Sequence, residues 1–134
     1  HLIRSDTRGL PAEFPCDPKL TSILLINLVE NAIRHSSAGG MVWVGGKRMD
    51  ADTVEISVTD EGPGIPASDQ HRIFERYIQL KPDSTGKEGM GLGLFIVRRI
   101  AEMHGGNVVC ESAPGEGASF RVTLTRVRAG QQSA

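Results

Sequence analysis

No stretch of this 134-residue chain is apolar for long enough to span a bilayer. Neither sign of charge dominates: 15 Lys and Arg stand against 16 Asp and Glu, a net charge of −1 with the histidines neutral. That balance removes the simplest electrostatic argument for nucleic acid or an anionic membrane as a partner. Cysteine is scarce. Cys16 and Cys110 lie far apart and fall in no metal-ligand spacing. One such pair makes no disulfide framework in a domain of this size, and two buried thiols in a reducing cytosol are the plain reading. There is no repeat and no internal domain boundary.

The chain does have the length for one domain with a real core. "LIRSD" and "EFPC" read as two short strands around a turn at Gly9–Pro11. A helix follows, with Asp17 as N-cap and Pro18 at its first position, stopped by Gly39–Gly40. "MVWVGGKRM" and "TVEISVTD" read as strands about the turn "DADT", the second alternating Val54, Ile56 and Val58. Residues 61 to 88 are rich in Gly, Pro and charge, with a short amphipathic stretch at "DQHRIFERYIQL". Leu92 to His104 reads as a second long helix, ended by Gly105–Gly106. "NVVCES" and "ASFRVTLTRV" are strands joined by the turn "APGEG". This order predicts an α+β two-layer sandwich over residues 1–127, with a disordered tail at 128–134. The chain begins at His1 rather than Met, so a longer parent protein is expected.

Three constellations carry chemistry. In the first helix, Asn27, Asn31 and Arg34 fall at i, i+4 and i+7 with Glu30 beside them. They share a face opposite an apolar side of Leu24, Leu25, Leu28, Val29 and Ala32. A solvated face explains most such patterns. Asn is a mediocre helix former, however, and an amide, a carboxylate and a guanidinium in a row suit magnesium and phosphate. On this helix alone the two readings stand level. The second constellation is "DEGPGIP" at 60–66: a plain turn, or a carboxylate at a strand end beside glycines that admit a flat ligand. The third is "EGMGLGLF" at 88–95. It is no P-loop, because no Gly-Lys-Ser/Thr follows, and no dinucleotide fingerprint, because position 94 is Leu. Glycines at alternate positions before a helix offer backbone N–H groups and a helix dipole to phosphate.

Taken in order, these stretches resemble the ATP-binding catalytic domain of sensor histidine kinases. That domain belongs to a superfamily with the type II topoisomerases, the Hsp90 chaperone and the mismatch-repair ATPases. "NLVENAIRHS" resembles the family's N box, "DEGPGIP" its first glycine box and "IFERY" its F box. "GMGLGLFIVRRIAEMHGG" resembles its second glycine box, and "GEGASF" its closing glycine motif. The resemblance implies a Bergerat-type fold, a mixed sheet on about three helices with an ATP lid. It implies that Asn31 holds Mg²⁺ against the phosphates of ATP and that Asn27 supports both from one turn earlier. Arg34 would stand near the terminal phosphates, and His35 at a position, usually aromatic, close to the nucleotide. Asp60 would take the adenine amine, Gly62 and Gly64 would let base and lid hinge approach, and Ile65 would lie beside the base. Gly89, Gly91 and Gly93 would cradle phosphate, with Leu92 and Leu94 fixing that helix end. Phe74 and Tyr77 would anchor the lid, and Arg76, Lys81 or Lys87 would supply its charge.

There are departures from the family pattern. Ala118 follows Gly117 where Thr is common, and Gln79 stands where an Arg often follows the F-box aromatics. Asn27 occupies the position of the glutamate that activates water in the hydrolysing cousins, and an amide is no general base. No histidine sits in a phosphoacceptor pattern, and His104 matches a structural helix-end histidine of the family. The resemblance therefore implies a domain that binds Mg-ATP and passes the γ-phosphoryl group to a histidine on a dimerisation domain N-terminal to this chain, with a response regulator downstream. A non-kinase ATPase and an anti-sigma-type serine kinase are the alternatives. A cytoplasmic, monomeric domain is expected, whether or not the whole protein carries a membrane anchor.

Overall fold

The computed structural model describes residues 2–11, 14, 16–36, 40–75, 93–112, 115 and 117–125. In chain order they form strand β1 (Leu2–Gly9), helix α1 (Pro18–His35), strands β2 (Met41–Arg48) and β3 (Thr53–Asp60), two 3-10 turns (Ala67–Asp69 and Arg72–Phe74), helix α2 (Gly93–Met103), and strands β4 (Val108–Ser112) and β5 (Ala118–Thr125). The strands make one sheet in the order β1-β2-β3-β5-β4. β1 runs parallel to β2, and the other neighbours are antiparallel. This is the expected mixed-sheet α+β sandwich of the Bergerat type. Of the amphipathic stretch "DQHRIFERYIQL", residues 69–75 fall in and beside the two 3-10 turns, and 76–80 lie outside the described residues.

One face of the sheet is covered and the other is open. Along β3 the buried positions are Val54, Ile56, Val58 and Asp60, and along β5 Ala118, Phe120, Val122 and Leu124. Leu24, Leu28 and Ala32 of α1 and Val97, Ile100 and Ala101 of α2 cover them. Removing each large apolar side chain from water contributes about 1.5–3 kcal/mol. Phe74 meets Phe120 edge to face, with ring centroids 6.0 Å apart, and so ties the second 3-10 turn to the core. The opposite sheet face carries Glu55, Ser57, Arg121 and a half-exposed Trp43. With no helix on that side among the described residues, these elements form two layers.

Two expectations are corrected. "EFPC" is not a strand: Phe14 packs beside the core outside any strand, while Glu13 and Pro15 lie outside the described residues. The reason is the parallel pairing of β1 with β2 through Gly9 and Lys47. A parallel neighbour requires a crossover, so the chain leaves β1 for the helical layer rather than turning into a hairpin. The first helix also ends before its glycines. Asp17 caps its start as expected, accepting from the Lys19 and Leu20 N–H groups. At the other end Ser36 is the cap, extended at φ −72° and ψ 150°, with its N–H on the Ala32 carbonyl.

Candidate functional site

The alternation that buries β3 ends on a carboxylate. Asp60 is 3% exposed, a costly place for a charge without partners. Its Oδ1 accepts the Gly62 N–H at 2.8 Å. Its Oδ2 is buried without a hydrogen-bond partner among the described residues. Burial pushes the Asp60 pKa above the usual 3.8, and the N–H groups of Gly62 and Ala118 and the His35 imidazole pull it partway back. His35, at the last turn of α1, is shifted the other way. It keeps open surface, yet crowding around its ring lowers its pKa from 6.5; Asp60 opposes this and Arg34 adds to it. Arg34, His35 and Asp60 therefore share one electrostatic neighbourhood. Ala118 stands directly opposite Asp60 in the ladder, 5% exposed, and its methyl group offers Oδ2 no hydrogen bond.

Two glycines hold backbone against backbone here. A Cβ on Gly62 would strike the His35 carbonyl oxygen, so this glycine lets the end of α1 dock on the loop after β3. A plain turn does not require that closeness. Gly117 has φ 75°, and a Cβ there would strike the Asp60 carbonyl oxygen. Gly64 has φ 84°, the left-handed region that favours glycine.

The two helices meet at the other side of the site. Asn27 donates its Nδ2 to the Ile23 carbonyl at 2.8 Å. Its Oδ1 faces the start of α2, where a Cβ on Gly93 would lie 3.2 Å away. Asn31 is not on a solvated face. It is 9% exposed, and its Nδ2 is buried without a partner among the described residues. Helical pitch explains the correction: Leu24, Leu28 and Asn31 fall at i, i+4 and i+7, one stripe, so Asn31 continues the buried row rather than opposing it. Arg34 remains exposed, while Ile65 and Leu94 pack beside the core. Tyr77, Lys87, Gly89, Gly91 and Leu92 lie outside the described residues, as do Arg76, Gln79 and Lys81.

Two further participants carry no pattern of their own in the sequence. Ser112 Oγ accepts the Ile65 N–H at 2.7 Å and donates to the Gly117 carbonyl at 2.6 Å. Gln70 Nε2 donates to the carbonyls of Ile65 and Ser112, both at 3.0 Å. Ser112 reads only as the end of a strand, and Gln70 only as one polar residue in a polar stretch. Sequence reasoning assigned His104 a structural role, and its side chain is fully used in helix packing.

Residues 16–128 match the family model described as "Histidine kinase-, DNA gyrase B-, and HSP90-like ATPase". The chain belongs to this family. It is an ATP-binding catalytic domain of the sensor histidine kinase type. The adaptive-response sensory kinase SasA of Crocosphaera subtropica is 39% identical over 123 residues, which cover 92% of this chain and 32% of the relative. SasA of Prochlorococcus marinus is 40% identical over 118 residues, 86% of this chain and 31% of the relative. The chain thus spans about a third of these relatives' length. Among solved structures, the mycobacterial sensor histidine kinase MprB superposes with a TM-score of 0.78 at 30% identity, covering 92% of this chain and 82% of that one. The catalytic domain of histidine kinase ThkA superposes with 0.79 at 28% identity, covering 93% and 78%. No helix among the described residues is long and apolar enough to cross a membrane.

Proposed function

We propose that this domain binds Mg-ATP and transfers the γ-phosphoryl group to a histidine on a dimerisation domain outside the chain, as the ATP-binding half of a cytoplasmic two-component kinase with a response regulator downstream. The observation that carries the reading is Asp60, a buried carboxylate with one oxygen engaged by Gly62 and the other without a partner among the described residues. An adenine amine is a donor of the right kind for that oxygen.

Asn31 supplies the complementary support. One end of its buried amide has no partner among the described residues, and a half-turn of the amide presents oxygen, the atom a hard cation takes. A magnesium ion held there between Asn31 and the phosphates would neutralise charge developing on the transferred group. Asn27 commits its N–H to its own helix and has no proton-accepting group of the strength that activating water demands. The start of α2 beside it offers backbone N–H groups to phosphate. In the transfer, the bond from the γ-phosphorus to the bridging oxygen breaks and ADP leaves. A bond forms to one imidazole nitrogen of the acceptor, whose other nitrogen releases its proton. The domain's own contribution is to bind and align.

The test is label transfer from γ-labelled ATP to the dimerisation domain supplied in trans, scored for acid lability. The expected result is acid-labile phosphohistidine on the partner, none on residues 1–134, and loss of transfer in Asn31→Ala. Rapid ATP turnover by residues 1–134 alone would overturn the kinase reading in favour of a hydrolase.

A further inference from the structure

We propose that Ser112 and Gln70 are positioning residues for adenine recognition, a role that rests on the nucleotide reading above. The loop from Glu61 to Pro66 carries Gly64 and Ile65 and has no regular structure of its own. Its place is set by hydrogen bonds to the end of β4 and to the turn after it. Ser112 Oγ takes the Ile65 N–H and gives its own proton to the Gly117 carbonyl. Gly117 lies against the Asp60 carbonyl. The circuit closes: Asp60 holds Gly62, the loop runs to Ile65, Ser112 joins Ile65 to Gly117, and Gly117 returns to Asp60.

Gln70 doubles the tie. Its amide nitrogen bridges the Ile65 and Ser112 carbonyls, so the two backbones stay at a fixed separation. A backbone bond from the Gly115 N–H to the Pro63 carbonyl, 2.7 Å, anchors the other flank of the loop. The Ser112 hydroxyl has both its donor and an acceptor site in use, and both contacts of Gln70 Nε2 are to backbone. These groups act on a nucleotide through the loop rather than by touching it. Their effect should fall on the base end of the ligand and spare the phosphate end, which the α1–α2 contact builds separately.

Calorimetry on residues 1–134 with magnesium present tests this, using ATP, GTP and inorganic tripolyphosphate as ligands. Gln70→Glu removes the bridging donor at constant shape, and Ser112→Ala removes the hydroxyl. Each is expected to weaken ATP about fivefold, the loss of roughly one net hydrogen bond. Each should also narrow the preference for ATP over GTP and leave tripolyphosphate affinity unchanged. Ser112→Thr keeps the hydroxyl and should restore the preference. An unchanged ATP-to-GTP ratio in Gln70→Glu, or parallel losses of ATP and tripolyphosphate, would overturn the positioning role. An unmutated domain with no preference for ATP over GTP would instead overturn the assignment of Asp60. If Ser112→Ala fails to fold, Gln70→Glu decides the question.

Discussion

The residue that caps the start of α1 is bonded to the histidine that ends α2: the Asp17 N–H donates to His104 Nε2 at 3.1 Å. Nε2 accepts, so the ring proton sits on Nδ1, which donates to the Ile100 carbonyl at 2.9 Å. The carboxylate of Asp17 meanwhile caps α1 through Lys19 and Leu20. One buried imidazole, 4% exposed, therefore ties two helix ends together. His104→Ala should lower unfolding free energy by about 2 kcal/mol, since the Asp17 N–H and the Ile100 carbonyl both lose their bond to the buried ring. Urea denaturation measures this, and a change within error would contradict the assigned role.

Asp60 gives a pH-dependent prediction. Its folded pKa is raised above 3.8, so between the unfolded and folded values the native state binds more protons than the unfolded chain. Stability then falls as pH rises through that window, and above it the buried charge is a standing cost. Asp60→Asn should melt at a higher temperature than the parent at pH 7, and the gap should shrink as pH approaches 4. The same variant should lose the preference for adenine. Melting curves at the two pH values, with nucleotide titrations beside them, separate the two effects.

The glycines around Asp60 are not equivalent. Gly115 and Gly117 both have positive φ, 81° and 75°, but a Cβ on Gly115 meets nothing within 4 Å while one on Gly117 meets the Asp60 carbonyl. Gly115→Ala should cost only the backbone term, about 1–2 kcal/mol. Gly117→Ala and Gly62→Ala force backbone apart and should each cost about 3 kcal/mol or leave the chain unfolded. Equal losses at Gly115 and Gly117 would refute the close approach.

Gly93 sets stability against binding. It lies in α2 without a positive φ, and an added Cβ would approach Asn27 Oδ1 at 3.2 Å, tight but met by a side chain. Gly93→Ala should leave the fold intact or stabilise it by about 0.5 kcal/mol through the unfolded state. Triphosphate affinity should fall about tenfold, because a methyl group would occupy the approach between Asn27 and the helix start, worth roughly 1.4 kcal/mol. A thermal melt and a titration on the same sample decide it.

Much of this was legible in the sequence. Asp17 and Pro18 mark the start of α1, alternation marks β3, helical spacing brings Asn27 and Asn31 forward as candidates, and a strand end beside glycines brings Asp60. Polarity leaves Asn31 level between a solvated face and a ligand face, whereas helical pitch puts it on the buried row of Leu24 and Leu28. The end of α1 was misplaced because it is set by docking on Gly62, a contact with a distant strand end that no local glycine signals. Ser112 and Gln70 escaped notice because they act on backbone atoms of other segments, and backbone partners leave no mark in side-chain pattern.

The strand order has a consequence for how the protein comes to be active. β2–β3 and β4–β5 are hairpin neighbours, whereas Thr59 and Ser119, which share a hydroxyl bond of 2.9 Å, lie 60 residues apart. The β3–β5 seam is the step with the large loop-closure penalty, and it is expected to limit the folding rate. Asp60 and Gly62 sit on one side of that seam, Gly117 and Ser112 on the other. A half-formed chain thus lacks the junction of Asp60, Gly62, Ser112 and Gly117. Nucleotide should leave the refolding rate unchanged and act on the return path, slowing unfolding as its concentration rises.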